Sequence, residues 1–121
     1  SSGTGCYGLE KNQEANWRWC GNHGELELRK PRSMPSVTVR VDFEISVGSR
    51  EPTVFISTID GQTQKHMIRN GRLHIQRVIT MADHPAKMVF QCHAPPVVPA
   101  NGDPRDLVFQ IVNFTYAIPS P

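Results

Sequence analysis

The stretch that decides the fold is VTVRVDFEISV, residues 37–47. Apolar side chains occupy every odd position from Val37 to Val47, and polar side chains occupy the even positions between them. Successive side chains of a β-strand point to opposite faces of its sheet. The alternation therefore predicts a long antiparallel strand with one face against a core and the other in water.

Similar stretches lie on both sides of this one along the chain. The further strand candidates are ELELR (25–29), TVFISTIDGQTQKHMI (53–68), RLHIQRVI (72–79), AKMVFQCHA (86–94) and DLVFQIVNFTY (106–116). Most are rich in β-branched and aromatic residues, which strands favour. The second candidate predicts a hairpin, because Asp60-Gly61 is a preferred two-residue turn.

Helical signals are poor across the whole chain. No window keeps apolar residues at the spacing of one helix face for three turns, and only residues 80–83 are predicted as a single helical turn. The 121 residues suit one domain. About eight short strands predict an all-β antiparallel β-sandwich of jelly-roll type, with a closed barrel as the second choice. We expect a flexible lead-in or linker at 1–5, the domain at 6–118 and a tail at 119–121.

The charge distribution and the lengths of the apolar runs argue against two kinds of partner, nucleic acids and membranes. Lys and Arg number 13 against 11 Asp and Glu, and the net charge of +2 is spread along the chain. The short basic run Arg29, Lys30 and Arg32 reads as a solvated turn. No like-charged arm predicts a nucleic-acid partner, and no apolar run approaches the roughly 20 residues that cross a bilayer. We therefore expect no nucleic acid and no membrane insertion.

Three cysteines, Cys6, Cys20 and Cys92, leave two interpretations open. An odd number argues against a complete disulfide framework. We therefore favour three thiols in a reducing compartment, and with them a cytoplasmic location. The alternative is a Cys6–Cys20 pair in an oxidising compartment, such as the periplasm.

No catalytic or metal-binding motif is present in the sequence. It lacks a G-x-S-x-G elbow, a glycine-rich phosphate loop and H-E-x-x-H. Cys92 and His93 are neighbours on a predicted strand, so their side chains point to opposite faces and cannot readily share a metal. The sequence predicts no catalytic residue, no metal site and no cofactor. Hydrolysis by paired carboxylates stays an open alternative. It would require that acidic side chains converge in the fold, and the candidates are Glu10, Glu14, Asp103 and Asp106.

Both tryptophans of the chain fall in NWRWC, residues 16–20. On a strand, Trp17 and Trp19 lie on the same face, and Arg18 lies on the other. If the rings face inward, they belong to the core, which the usual burial of tryptophan favours. If they face outward, they form a platform on which the apolar faces of a sugar can stack.

The order of the short motifs carries a family resemblance. CYGLE (6–10) precedes WRWCGNHGELEL (17–28), then come the alternating strand and the hairpin, and DPRDLVFQIVNFTY (103–116) ends the chain. This order resembles the small β-sandwich accessory modules appended to bacterial glycosyltransferases and related cell-envelope polysaccharide enzymes. Cys6 departs from the pattern, standing where an aromatic residue is common, and Val108 stands where a glycine is common.

The resemblance implies a noncatalytic role, in glycan binding or in positioning an attached glycosyltransferase domain. Its motifs transfer to a candidate carbohydrate-binding set that consists of Glu10, Trp17, Trp19, Asp103 and Arg105. Arg105 is expected to form a charge-assisted pair with Glu10 or Asp103, which would connect the last loop to the first strand.

Two other functions compete with glycan binding. One is a protein–protein interaction or scaffold module that docks a partner along RLHIQRVI (72–79). The other is a small jelly-roll hydrolase or lyase that uses Glu10 and Asp103.

Overall fold

A computed structural model describes residues 4–98, 101–102, 105 and 107–118, which form nine strands and no helix. The strands are β1 Glu10–Lys11, β2 Asn16–Cys20, β3 His23–Leu28, β4 Val37–Val47, β5 Thr53–Ile59, β6 Gln62–Ile68, β7 Arg72–Met81, β8 Ala86–Cys92 and β9 Phe109–Ala117. The helical turn predicted at 80–83 was wrong. Thr80 and Met81 end β7, where ladder pairing to β4 continues through both residues.

The strands form two antiparallel sheets that pack face to face. One sheet has five strands in the order β1-β2-β9-β4-β7, and the other has four in the order β3-β8-β5-β6. The chain crosses between the sheets at every connection except the β1–β2 and β5–β6 hairpins. The predicted antiparallel β-sandwich is confirmed, and the closed barrel was wrong. The strand beyond the predicted eight is the two-residue β1.

The deciding stretch is β4, which lies between β9 and β7 in the five-stranded sheet. Val39, Val41, Phe43 and Ile45 are at most 1% exposed, and the residues between them are exposed or half-buried. Pairing with β9 shifts register between Asp42 and Glu44. This bulge bends the sheet, because it inserts an unmatched residue into one strand.

The core between the sheets is dominated by phenylalanine. Phe43, Phe55, Phe90 and Phe109 are at most 1% exposed. The Phe55 ring centre lies 5.3 Å from that of Phe109 and 5.9 Å from that of Phe90. Truncating a buried phenylalanine to alanine costs about 3–5 kcal/mol, so these four side chains account for much of the stability.

Two tight turns connect strands where the sequence places Asp-Gly and Asn-Gly. The φ angles are 51° and 80° at Asp60 and Gly61, and 61° and 84° at Asn70 and Gly71. Positive φ at both central residues is typical of a type I′ turn, whose twist matches that of the flanking strands. The predicted hairpin over 53–68 is confirmed as β5 paired with β6.

The cysteines correct the expectation of three free thiols. Cys6 and Cys20 form a disulfide, and Cys92 is free and buried. Backbone pairing of Cys6 with Cys20 places the two side chains together, which the count of cysteines could not show. Burial raises the pKa of the Cys92 thiol, which disfavours its thiolate form.

Candidate functional site

The two faces of β2 carry different chemistry. Cys20 belongs to the core, and Arg18 lines a groove together with the core residue Ile111. Because side chains alternate along a strand, Trp17 and Trp19 project from the outer face of the five-stranded sheet. Both rings are half-buried. The core interpretation of the tryptophans was therefore wrong, and the outward alternative describes the structure.

Strand register shows which residues surround the rings. Directly paired residues of antiparallel strands lie on the same face of the sheet. Trp17 is paired with Glu10 on β1 and with Val112 on β9, and Trp19 is paired with Gln110. The same rows continue onto β4 and β7. We name as the tryptophan face the set Glu10, Trp17, Trp19, Asp42, Glu44, Ser46, Arg72, His74, Gln76, Gln110 and Val112.

Polar side chains of the tryptophan face hold one another in place. Arg72 Nη1 donates to Glu44 Oε2 at 2.9 Å, and Gln76 Nε2 donates to Asp42 Oδ2 at 2.7 Å. His74 Nε2 lies 2.5 Å from Asp42 Oδ1. The hydrogen bond with His74, followed by that with Gln76, lowers the pKa of Asp42 below its ordinary value. The Asp42 carboxylate is therefore ionised and held in a fixed position on this face.

Arg105 closes the edge of this face beside Trp17. Its Nη1 lies 3.3 Å from Glu10 Oε2, and its guanidinium carbon is 5.3 Å from the centre of the Tyr7 ring. The predicted pairing of Arg105 with Glu10 is present. Asp103 and Asp106 lie outside the described residues, so the predicted contribution of Asp103 stays a prediction.

No group of three or more His, Cys, Asp or Glu side chains in the described part of the chain is arranged to hold a metal ion. No helix there is long and apolar enough to span a membrane. The exposed His93 and the buried Cys92 occupy opposite faces, as the alternation predicts.

Sequence reasoning missed the partners that β9, β4 and β7 bring to the tryptophans. Gln110, Glu44 and His74 belong to this face only because β2 pairs with β9, and β9 with β4. The alternation of β4 identifies its polar side, and nothing local to the sequence states which strand lies beside it.

Comparison with known proteins identifies a similar fold among solved structures. No protein-family model and no curated protein sequence matches the chain. Among solved structures, a family 35 carbohydrate binding module from Clostridium thermocellum has a TM-score of 0.52 at 10% identity, with 95% of this chain and 88% of that chain covered. This chain shares the fold of that module.

Two further structures are more distant. An active site mutant of a family two carbohydrate esterase from Clostridium thermocellum has a TM-score of 0.45 at 13% identity, covering 93% of this chain and 29% of that chain. The C-terminal CBM6 of LamC, a marine laminarinase from Zobellia galactanivorans, has a TM-score of 0.44 at 9% identity, covering 95% and 91%.

Proposed function

We propose that the chain is a noncatalytic carbohydrate-binding module that holds a glycan against the tryptophan face. The observation that carries the proposal is the outward placement of Trp17 and Trp19 on one strand, with ion-paired and hydrogen-bonded polar side chains in register beside them. Two half-buried rings side by side on the outer face of a sheet leave apolar surface open to solvent, and such surface favours a binding role.

The arrangement fits an extended sugar chain better than a single ring. Flat aromatic rings stack on apolar surfaces such as the CH faces of sugars, and amide and carboxylate groups bond the hydroxyls. Neighbouring strands lie about 4.8 Å apart, so the three strand intervals from Trp17 to His74 span about 14 Å. An oligosaccharide lying across the strands would contact Trp17, Glu44 and His74 in turn.

The fold supports the same function, because the structure with a TM-score of 0.52 is described as a carbohydrate binding module. We further propose that the module is attached to a bacterial glycosyltransferase or a related envelope-polysaccharide enzyme. That part rests on the order of CYGLE, WRWC and DPRDL in the sequence.

The disulfide bears on where the module works. Disulfides persist in oxidising compartments and are rare in the cytosol. The cytoplasmic location expected from the thiol interpretation stays an untested prediction. The Cys6–Cys20 bond favours the periplasmic alternative, which we now propose.

Titration with bacterial polysaccharide fragments, followed by tryptophan fluorescence and calorimetry, tests glycan binding. Trp17→Ala and Trp19→Ala are each expected to weaken binding about tenfold, which corresponds to about 1.4 kcal/mol. Tyr116→Ala is the control, since Tyr116 is an aromatic residue, 47% exposed, that lies in a groove on the other side of the sheet. Unchanged binding by both folded tryptophan variants would overturn the platform.

The interaction alternative meets an obstacle on β7. That strand is the last of its sheet, and its Val78 is 62% exposed. Its Arg77, however, points inward and is 6% exposed. Inward-pointing charges on edge strands are one way in which proteins prevent edge-to-edge association. For the hydrolase alternative, Glu10 is engaged by Arg105, and Asp103 lies outside the described residues.

A further inference from the structure

A groove of about 620 Å³ opens between the two sheets, on the side of β2 that faces away from the tryptophans. Apolar side chains form its floor: Leu26, Leu28, Met88, Ile111 and Phe114. Leu9 and Tyr116 also line it and are 60% and 47% exposed. The volume lies within the range of about 300–1,000 Å³ that is usual for small-molecule sites.

The groove contains a cation without a carboxylate partner in the described part of the chain. Arg18 is half-buried in the wall, and its Nη1 donates to the Tyr7 carbonyl at 3.0 Å. That is the one hydrogen bond that the guanidinium forms with the described residues, and none of their carboxylates pairs with it. The second arginine of the groove, Arg29, is neutralised by Glu27 at 2.9 Å. The groove therefore has a net positive charge, located at Arg18.

We propose that the inner groove binds an amphipathic organic anion, an alkyl or aryl carboxylate or phosphate, with its acidic group at Arg18 and its apolar body on the leucine-rich floor. A guanidinium matches carboxylate and phosphate with two parallel N–H donors. Partial burial of a charge is costly unless the charge is paired, so an anion at Arg18 stabilises the site. The exposed Leu9 and Tyr116 at the mouth would cover the apolar body.

This site is separate from the proposed glycan face, because adjacent residues of β2 point to opposite sides of the sheet. Arg18 belongs to the groove, and Trp17 and Trp19 belong to the outer face. Binding in the groove and binding of glycan can therefore fail independently. Glycan titration of each groove variant distinguishes the two failures.

The test uses probes that share an apolar chain and differ in the head group: decanoate, decyl phosphate and decanol, each kept below its aggregation concentration. Calorimetry and the amide spectrum of labelled protein measure binding. Both anions are expected to bind at least tenfold more tightly than decanol and to shift amides of β2, β3 and β9. The stronger anion identifies the head group as carboxylate or phosphate. Equal binding of decanol and the two anions, or no binding of either anion, would overturn the proposal.

Variants assign the anion to its position. Arg18→Met is expected to weaken decanoate binding at least tenfold and leave decanol unchanged. Arg40→Met is the matched control, since Arg40 is exposed on β4 and does not line the groove. If Arg18→Met does not fold, Leu9→Glu supplies the same test. Leu9 lines the groove and is 60% exposed, and a new carboxylate there repels the anion, whereas Leu9→Gln does not. An equal loss in Arg40→Met, or no greater loss in Leu9→Glu than in Leu9→Gln, contradicts the assignment.

Discussion

Arg105 Nη1 lies 3.3 Å from Glu10 Oε2, although the two residues are 95 positions apart in the chain. The contact joins the segment before β9 to β1, one of the two edge strands of the five-stranded sheet. Trp17 is the ladder partner of Glu10, so the ion pair borders the tryptophan face directly. Its role in the fold and its role at the site can be separated by measurement.

The first prediction concerns the energy of this ion pair. The two side chains are 31% and 40% exposed, and pairs accessible to water contribute about 0.2–1 kcal/mol. A double-mutant cycle with Glu10→Gln and Arg105→Gln, measured by urea unfolding, is expected to give a coupling free energy near the middle of that range. Raising the salt concentration should reduce it. Additivity of the two single variants would show that the contact is energetically neutral.

The second prediction concerns Gly24, which packs beneath the disulfide. A Cβ at Gly24 would lie 2.5 Å from Cys6 Sγ and 3.3 Å from Cys20 Cβ. Gly24→Ala therefore overpacks the site and is expected to lower the free energy of unfolding by about 1–3 kcal/mol. Gly8→Ala is the matched control, since a Cβ at Gly8 would meet nothing within 4 Å and a change within about 0.5 kcal/mol is expected. Equal costs for both variants in urea unfolding would contradict the packing argument.

The third prediction concerns the disulfide. Its cysteines are 14 residues apart, and closing a loop of that size removes unfolded-state entropy worth about 3 kcal/mol. Reductant is expected to lower the unfolding midpoint of the wild type and to leave that of Cys6→Ala unchanged. Thiol counting without reductant should find one reactive group per unfolded chain, Cys92. Three reactive thiols in protein purified from the periplasm would contradict the bond.

Much of the fold could be predicted because its signals are local. The period-two alternation of β4 gives both a strand and its buried side, and Asp60-Gly61 gives a hairpin within a few residues. The helical turn at 80–83 failed for a non-local reason. Pairing of Thr80 and Met81 with β4 continued the strand, and a distant ladder partner is not visible in a short window.

The candidate site could likewise be predicted only where its signals are local. That Trp17 and Trp19 share a face follows from their spacing, whereas which face they share depends on the position of the second sheet. General burial statistics favoured the inside, and the packing of Cys20 and Arg18 toward the core placed the rings outside. The disulfide was missed for the same reason, since pairing of Cys6 with Cys20 depends on how the chain enters β2.

The last prediction concerns the buried polar cluster between the open edges of β6 and β7. Arg77 Nη1 donates to Ser57 Oγ at 3.1 Å, and that oxygen lies 3.2 Å from His66 Nε2. Burial, followed by the charge of Arg77, lowers the pKa of His66. The folded protein therefore binds fewer protons here than the unfolded chain, in which the pKa of histidine is about 6.5. With respect to His66, the folded state is most stable above that pH, where the histidine is neutral in both states. Its free energy of unfolding decreases as the pH falls below it, because the unfolded chain then binds the extra proton.

Thermal unfolding between pH 8 and pH 5 measures the effect. The wild type should lose stability as the pH falls, and His66→Gln should flatten that dependence. Met67→Gln, an exposed change on the same strand that adds no titratable group, should keep the wild-type dependence.

Arg77→Met should weaken the dependence, because it removes the charge that acts on His66. The same variant lacks the inward-pointing charge of the edge strand, so it should also increase self-association in light scattering. A steep pH dependence that persists in His66→Gln would assign the effect to other groups.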